Sequence, residues 1–178
     1  MNRPCVSRRS LMGLGAGLLA APAYAQSWPT RPVRLVVPFP PGGPADAIGR
    51  ILAEPLSEAW GQPVVIDNRG GAGGNIGADV VAKSPPDGHT LLLAASSHVQ
   101  GAALYRRLAF DPIRDFTPIT QVAYYSLVVV VHPSVPANNL REFEAYMRAN
   151  PGRLTMTSAG VGTPTHLTAE LFRTRAGL

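Results

Sequence analysis

Two hydrophobic periods alternate along this chain. The run from Val33 to Phe39 is β-branched and apolar, is punctuated by Pro32 and Pro38, and predicts a buried strand. Pro40-Pro41-Gly42-Gly43-Pro44 then breaks the chain. Ile48, Ile51, Leu52, Leu56 and Trp60 follow at helical spacing and predict one apolar helix face. Asp46 falls in the first turn of that helix, where a carboxylate can meet free N–H groups. Pro55 should kink or shorten it.

The alternation then repeats. Val64 to Ile66 predicts a short strand, Asp67 to Asn75 a glycine-rich turn, and Asn75 to Lys83 a helix with Ile76 and Val80 inward. Pro85-Pro86-Asp87-Gly88 is a turn, and Thr90 to Ala94 predicts a third buried strand ending at Ser96-Ser97. Residues 101–120 are irregular. Beyond them, Leu127 to Val131 predicts a strand. Asn139, with Glu142 three residues on, predicts a capped helix whose inner face is Leu140, Phe143 and Met147. Leu154 to Thr157 predicts a further strand. Ser158 to Thr163 forms another glycine-rich turn. Pro164 suits the first position of a last helix with Leu167 and Leu171 inward. Apolar strands bracketed by amphipathic helices imply an α/β fold with a mostly parallel sheet covered on both faces.

Composition narrows the class. The 178 residues include 18 Gly, 18 Pro and one Cys, and 46% are hydrophobic, which excludes a disulfide scaffold and argues against disorder. The net charge of +5 comes from 16 basic and 11 acidic residues. Arg3, Arg8 and Arg9 lie in the first 25 residues, and without them the balance falls to 13 against 11. No basic stripe with interleaved aromatics remains, so nucleic acid is not an expected partner.

Those first 25 residues have the three parts of an export signal: a basic start through Arg8-Arg9, an apolar run from Leu11 to Ala21, and Ala23-Tyr24-Ala25 before Gln26. The paired arginines resemble a twin-arginine signal, against the plainer alternative of an ordinary secretory leader. Either route predicts a periplasmic chain. Cys5 precedes the apolar run, so the processed chain would carry no thiol.

Three loops between strands and helices combine glycine with small hydroxyl or amide residues. Glycine permits close backbone approach, and helix starts present unpaired N–H groups, which together suit an anion without Arg or Lys. In an open parallel sheet such loops collect at the carboxyl ends of the strands. The phosphate-loop, dinucleotide, nucleophile-elbow and His-Glu-x-x-His patterns are all missing, and no cofactor or metal is expected. His166, at the start of the last helix, is the histidine best placed to act.

Several stretches together resemble the substrate-binding proteins of tripartite tricarboxylate transporters, also called Bug receptors. They are Trp28 to Asp46, Gly61 to Val65 through Asn68, Gly71 to Gly77, Pro86 to Leu91, Asp115 to Pro118, and Ser158 to Leu167. The resemblance covers essentially all of residues 28–178. It implies a periplasmic two-domain clamshell that captures a small organic carboxylate, a di- or tricarboxylate or a related acid, and delivers it to integral membrane transporter components. By motif match, Pro41, Gly42, Gly43 and Asp46, then Gly73, Gly74 and Asn75, then Ser96 and Ser97, and finally Gly160, Gly162, Thr163 and His166 would line the cleft. Family members continue past the point where this sequence stops. The expectation is therefore a leader over 1–25, an incomplete first lobe over 26–115, and the start of a second lobe over 116–178. The rival readings are an extracytoplasmic hydrolase or transferase using His166 or His98 with Ser96 or Ser97, and a non-functional fragment.

Overall fold

The computed structural model of the protein describes residues 27–178; the expected leader lies outside the described residues. Three parallel strands form one sheet: β1 (Val33–Val37), β2 (Val64–Asn68) and β3 (Thr90–Leu92), in the order β2-β1-β3. Val33 pairs with Val64 and Val37 with Asn68, while Arg34 to Val36 pair with Thr90 to Leu92. Five helices accompany them: α1 (Pro44–Trp60), α2 (Asn75–Ala82), α3 (Ser97–Leu104), α4 (Leu140–Ala149) and α5 (Pro164–Arg175).

The strand order dictates the layers. The step from β1 to β2 and the step from β2 past β1 to β3 run in opposite directions. Right-handed crossovers therefore place α1 and α2 on opposite faces of the sheet. Accordingly α1 packs on β1 and β2, and α2 on β1 and β3. Covered on both faces, β1 loses its alternation, and Val33, Val36 and Val37 are fully buried. Leu56, Trp60, Ile66 and Leu91 close over Val33, Leu35 and Val64.

Helix α1 runs its full seventeen residues through Pro55, contrary to expectation. Pro55 is exposed, as is Ile51 one turn earlier, so the carbonyl it leaves unbonded faces water. Ile51 itself is 73% exposed, not inward. The buried contact is made by Gly49, where a methyl group would lie 3.2 Å from Val37 Cγ2. A similar substitution occurs in α2. Ile76 is half exposed, while Asn75, Gly77 and Ala78 are the buried positions. At Gly77 a methyl group would come within 2.8 Å of Pro38 Cβ and 2.9 Å of the Arg69 carbonyl oxygen. Close approach by small residues, which hydrophobic periodicity does not register, sets the facing of both helices.

Residues 101–104 belong to α3, a helix that the apolar pattern did not reveal. Its sequence, SHVQGAAL, is only weakly amphipathic. The expected strands at Leu127–Val131 and Leu154–Thr157 do not form: neither stretch pairs with a neighbour among the described residues. A strand requires a neighbour to bond, and among the described residues neither stretch has one. Helix α4 forms where the cap predicts it. The Asn139 side chain accepts from the Glu142 N–H at 3.0 Å, and Glu142 reaches back to the Asn138 N–H at 2.8 Å. Its predicted inner face is only partly covered, with Leu140 51% exposed. Leu171 of α5 is also exposed.

Candidate functional site

Because all three strands are parallel, their carboxyl ends share one edge of the sheet. The loops after β1, β2 and β3 leave from that edge, and the chain reverses its winding direction between β1 and β3. The order β2-β1-β3 thus opens a crevice beside the loops that sequence reasoning singled out.

Cross-bonds hold the first two loops together. The Asn68 amide donates to the Phe39 carbonyl at 3.2 Å and to Asp46 Oδ1 at 3.0 Å. A methyl group at Gly74 would meet Pro38 Cβ at 3.4 Å, and one at Gly70 the Pro40 nitrogen at 3.3 Å. The turn Ala72–Gly74 has Gly73 and Gly74 in the left-handed region, at φ 67° and 102°, which lets the chain fold tightly before α2.

The loop at 160–163 joins the same rim. A methyl group at Gly73 would lie 3.2 Å from the carbonyl oxygen of Gly162 and 3.3 Å from that of Val161. At Gly162 it would lie 3.2 Å from the Tyr105 hydroxyl, just beyond α3. The glycine turns before α2 and before α5 are therefore in direct contact, with the end of α3 beside them. Pro41 and Ser96 are exposed.

The protein's own atoms already use several of the expected donors. The Gly42 N–H donates to Asp46 Oδ2 at 2.9 Å, and Arg50 Nε donates to the same oxygen at 2.9 Å. Those bonds, with the Asn68 amide, hold the Asp46 carboxyl at about 2, below its ordinary 3.8. Asp46 is 3% exposed and acts as the resident anion at the start of α1, where a ligand carboxylate would otherwise gain. The Gly74 N–H donates to the Gly71 carbonyl, the Gly160 N–H to Ser158 Oγ, and the Thr163 N–H to the Gly160 carbonyl. The Gly162 N–H donates to His166 Nδ1 at 3.3 Å, which leaves the other ring nitrogen of His166 to carry the proton.

A different set of groups is left over. Among the described residues the N–H groups of Gly43, Gly73 and Ser97 have no acceptor. Ser97 is 3% exposed and Asn75 is 9% exposed. Neither the Ser97 hydroxyl nor the Asn75 carboxamide makes a hydrogen bond among the described residues. Ser97 and Gly101 lie one turn apart on the same face of α3, and a methyl group at Gly101 would come within 2.9 Å of Asn75 Oδ1. Two largely buried polar residues therefore lie near one another between α2 and α3, with polar atoms that make no hydrogen bond among the described residues but remain open to water.

Asp67, at the end of β2, is pushed up by its burial. Arg34 and Arg69 outweigh that and lower it overall. Both arginines are thereby engaged near the rim. The His98 Nε2–H donates to the Pro112 carbonyl oxygen, 2.9 Å away, and the ring stacks on Phe110; His98 makes no hydrogen bond to Ser96 or Ser97. A His–Ser hydrogen bond does occur, between His132 and Ser134 at 2.8 Å, but it lies on exposed chain away from the rim. No cluster of three metal-ligating side chains occurs among the described residues. Surface hollows appear beside Gln121–Tyr124 and over α1 and β2.

The family model described as "Tripartite tricarboxylate transporter family receptor" matches residues 48–178. BugT of Bordetella pertussis is 41% identical over 161 residues, which are 89% of this chain and 49% of that protein. Among solved structures, the periplasmic binding protein BugD superposes with a TM-score of 0.74 at 35% identity, covering 85% of this chain and 50% of that one. An R. palustris protein with adipate gives 0.73 at 39% identity, covering 85% and 51%. MatC from Rhodopseudomonas palustris with bound malate gives 0.71 at 31%, covering 85% and 52%. The chain thus spans about half the length of the relatives it matches. Its parallel α/β architecture is that of the periplasmic binding proteins over the shared half, and the chain belongs to the tripartite tricarboxylate transporter receptor family.

Proposed function

We propose that this chain carries the carboxylate-gripping rim of an extracytoplasmic solute receptor, which passes a small organic acid to integral membrane transporter components. The observation that carries the reading is the pair of buried, unbonded side chains. Neither the Ser97 hydroxyl nor the Asn75 carboxamide is among the sealed, unpartnered polar atoms of the described residues, so water reaches both and a bound carboxylate could take its place. Ser97, Asn75 and the open N–H groups of Gly43 and Gly73 form a donor set without a fixed cation, suited to a carboxylate held by dipoles and water.

Pro41, Gly42 and Asp46 shape the first loop, with Asp46 ordering it from within. Gly74 and Ser96 frame the donors. Gly160, Gly162 and Thr163 bring the last loop over Gly73, and His166 offers its free ring N–H. Malate and adipate, carried by the two R. palustris structures, support a dicarboxylate as the substrate class in this reading. A ligand bridging the two loop sets would favour their closed arrangement. The reading makes the chain a binding protein and not an enzyme, exported by its twin-arginine-like leader. Helix length agrees with a chain outside the bilayer: among the described residues no helix is long and apolar enough to cross a membrane.

Amide NMR during titration with malate and adipate tests the proposal. Shifts should cluster at Gly43, Gly73, Ser97 and the Asn75 side chain, and Asn75→Ala should abolish them. Shifts scattered over other surfaces, or none at the rim with any di- or tricarboxylate, would refute it.

A further inference from the structure

At the amino ends of the parallel strands, the edge opposite the rim, the chain entering β1 is strapped to the turn entering β3. Trp28 Nε1 donates to the Asp87 carbonyl at 3.1 Å, the Thr30 N–H donates to His89 Nε2 at 3.3 Å, and Arg31 Nη2 donates to Asp87 Oδ2 at 2.9 Å. The Trp28 ring lies edge-on to Trp60 at the end of α1, with centroids 5.1 Å apart, and 5.8 Å from the His89 ring. It also covers Gly88, where a methyl group would meet Trp28 Nε1 at 3.0 Å.

His89 is 6% exposed, and the proposed binding rim makes no use of it. Its hydrogen bonds fix its protonation state. A backbone N–H donates only to a ring nitrogen that carries no proton, so Nε2 is bare and the single ring proton sits on Nδ1. The Asp87 carbonyl oxygen accepts from Nδ1 at 3.2 Å. A proton added at Nε2 would face the Thr30 N–H donor to donor, in a site nearly closed to water. The imidazolium would also set a second positive charge beside Arg31, since both groups lean on the Asp87 carboxylate. That carboxylate, 3.4 Å from Nδ1, attracts the cation, but from the Nδ1 side, where it does not replace the acceptor lost at Nε2. The neighbouring elements turn no further charge toward the ring. β1 bonds the His89 carbonyl through the Arg34 N–H while the Arg34 side chain pairs with Asp67, and α1 reaches the cluster through the Trp60 ring.

We infer that His89 is an acid-sensitive catch for the Trp28–Arg31 strap, closed while its imidazole is neutral and released when the ring takes up a second proton. The strap lies at the other edge of the sheet from Gly43 and Gly73, so this inference stands apart from the carboxylate reading, and its test uses no ligand.

Amide exchange of the full chain, expressed as protection relative to unstructured peptide at the same pH, tests it. Between about pH 8 and about pH 5, the span in which histidine changes charge, protection at Thr30 should fall about tenfold or more while Leu35 and Val36 of β1 keep theirs. Trp28 and Trp60 are the two tryptophans of the chain, so their emission should shift over the same range. In His89→Gln the side-chain carbonyl accepts from the Thr30 N–H without titrating, and both Thr30 protection and emission should stay flat. Flat Thr30 protection in the unaltered chain, or an equal fall in His89→Gln, overturns the inference. Nitrogen NMR spectra of the His89 ring need no variant. They should show the proton on Nδ1 at about pH 8, above the span in which histidine changes charge, and a neutral ring with its proton on Nε2 would overturn the inference as well.

Discussion

Val33, Val36 and Val37 of β1 are sealed from solvent, whereas Val128 and Val130, in another valine-rich run, are 79% and 86% exposed. The two stretches have equal appetite for a sheet and differ in company. β1 has β2 on one edge, β3 on the other, and helices on both faces. Leu127–Val131 has none of these among the described residues. The difference teaches that hydrophobic sequence confers the capacity to be a strand, while hydrogen-bonding neighbours confer the strand itself.

The largest expected contrast comes from one substitution made in both places. Val36→Ala should lower unfolding stability by about 2–3 kcal/mol, since it removes buried methyl groups and leaves a cavity. Val130→Ala should change it by less than about 0.5 kcal/mol, as exposed positions do. Urea denaturation of both variants measures the gap, and equal losses would mean that Val130 is covered in solution.

Gly77→Ala probes how tightly the first region is assembled. The added methyl would meet Pro38 and the Arg69 carbonyl, which are ring and backbone atoms with little room to yield. A loss of about 1–3 kcal/mol is expected. A neutral result would show that α2 stands further from β1 than described. In the open region, Asn139→Ala removes the α4 cap. It should cost about 1 kcal/mol of local helix stability. That loss should appear in exchange of the α4 amides and leave those of β1 alone, so a global loss would mean that the two regions unfold as one.

Acid supplies the finest probe. Asp46 sits at about 2 in the fold against an ordinary 3.8, so the unfolded chain takes up its proton first as pH falls. Its contribution is complete above 3.8 and is lost as pH drops toward about 2. Asp67 and Asp87 are lowered as well and act in the same direction. Asp46→Asn should therefore flatten the decline of stability in that window. An unchanged acid slope would show that the Asp46 bonds to Gly42, Arg50 and Asn68 do not persist in solution.

Much of the first region could be read without coordinates. β-branched runs and proline punctuation located β1, β2 and β3, and Asn139 and Pro164 marked helix starts, because each signal is local. The facing of α1 and α2 could not be read this way, since Gly49, Gly77 and Ala78 take the buried positions by being small. Helix α3 escaped because eight weakly amphipathic residues lack a periodic stripe. At the rim, glycine loops and helix starts drew attention to segments that the fold gathers at one edge. They could not show that Asp46, Ser158 and His166 occupy several of the N–H groups, nor that Asn75 and Ser97 would be left unbonded.

By itself the sequence determined the alternation of strand and helix, the parallel α/β class and the family, since these follow from local periodicity and from the order of motifs along the chain. Tertiary structure alone decided which apolar runs became strands, which donors remained open, and that the Gly73 and Gly162 turns touch. Those outcomes depend on which groups distant in sequence come within bonding distance, and a hydrogen bond or a buried methyl exists only when both partners are present.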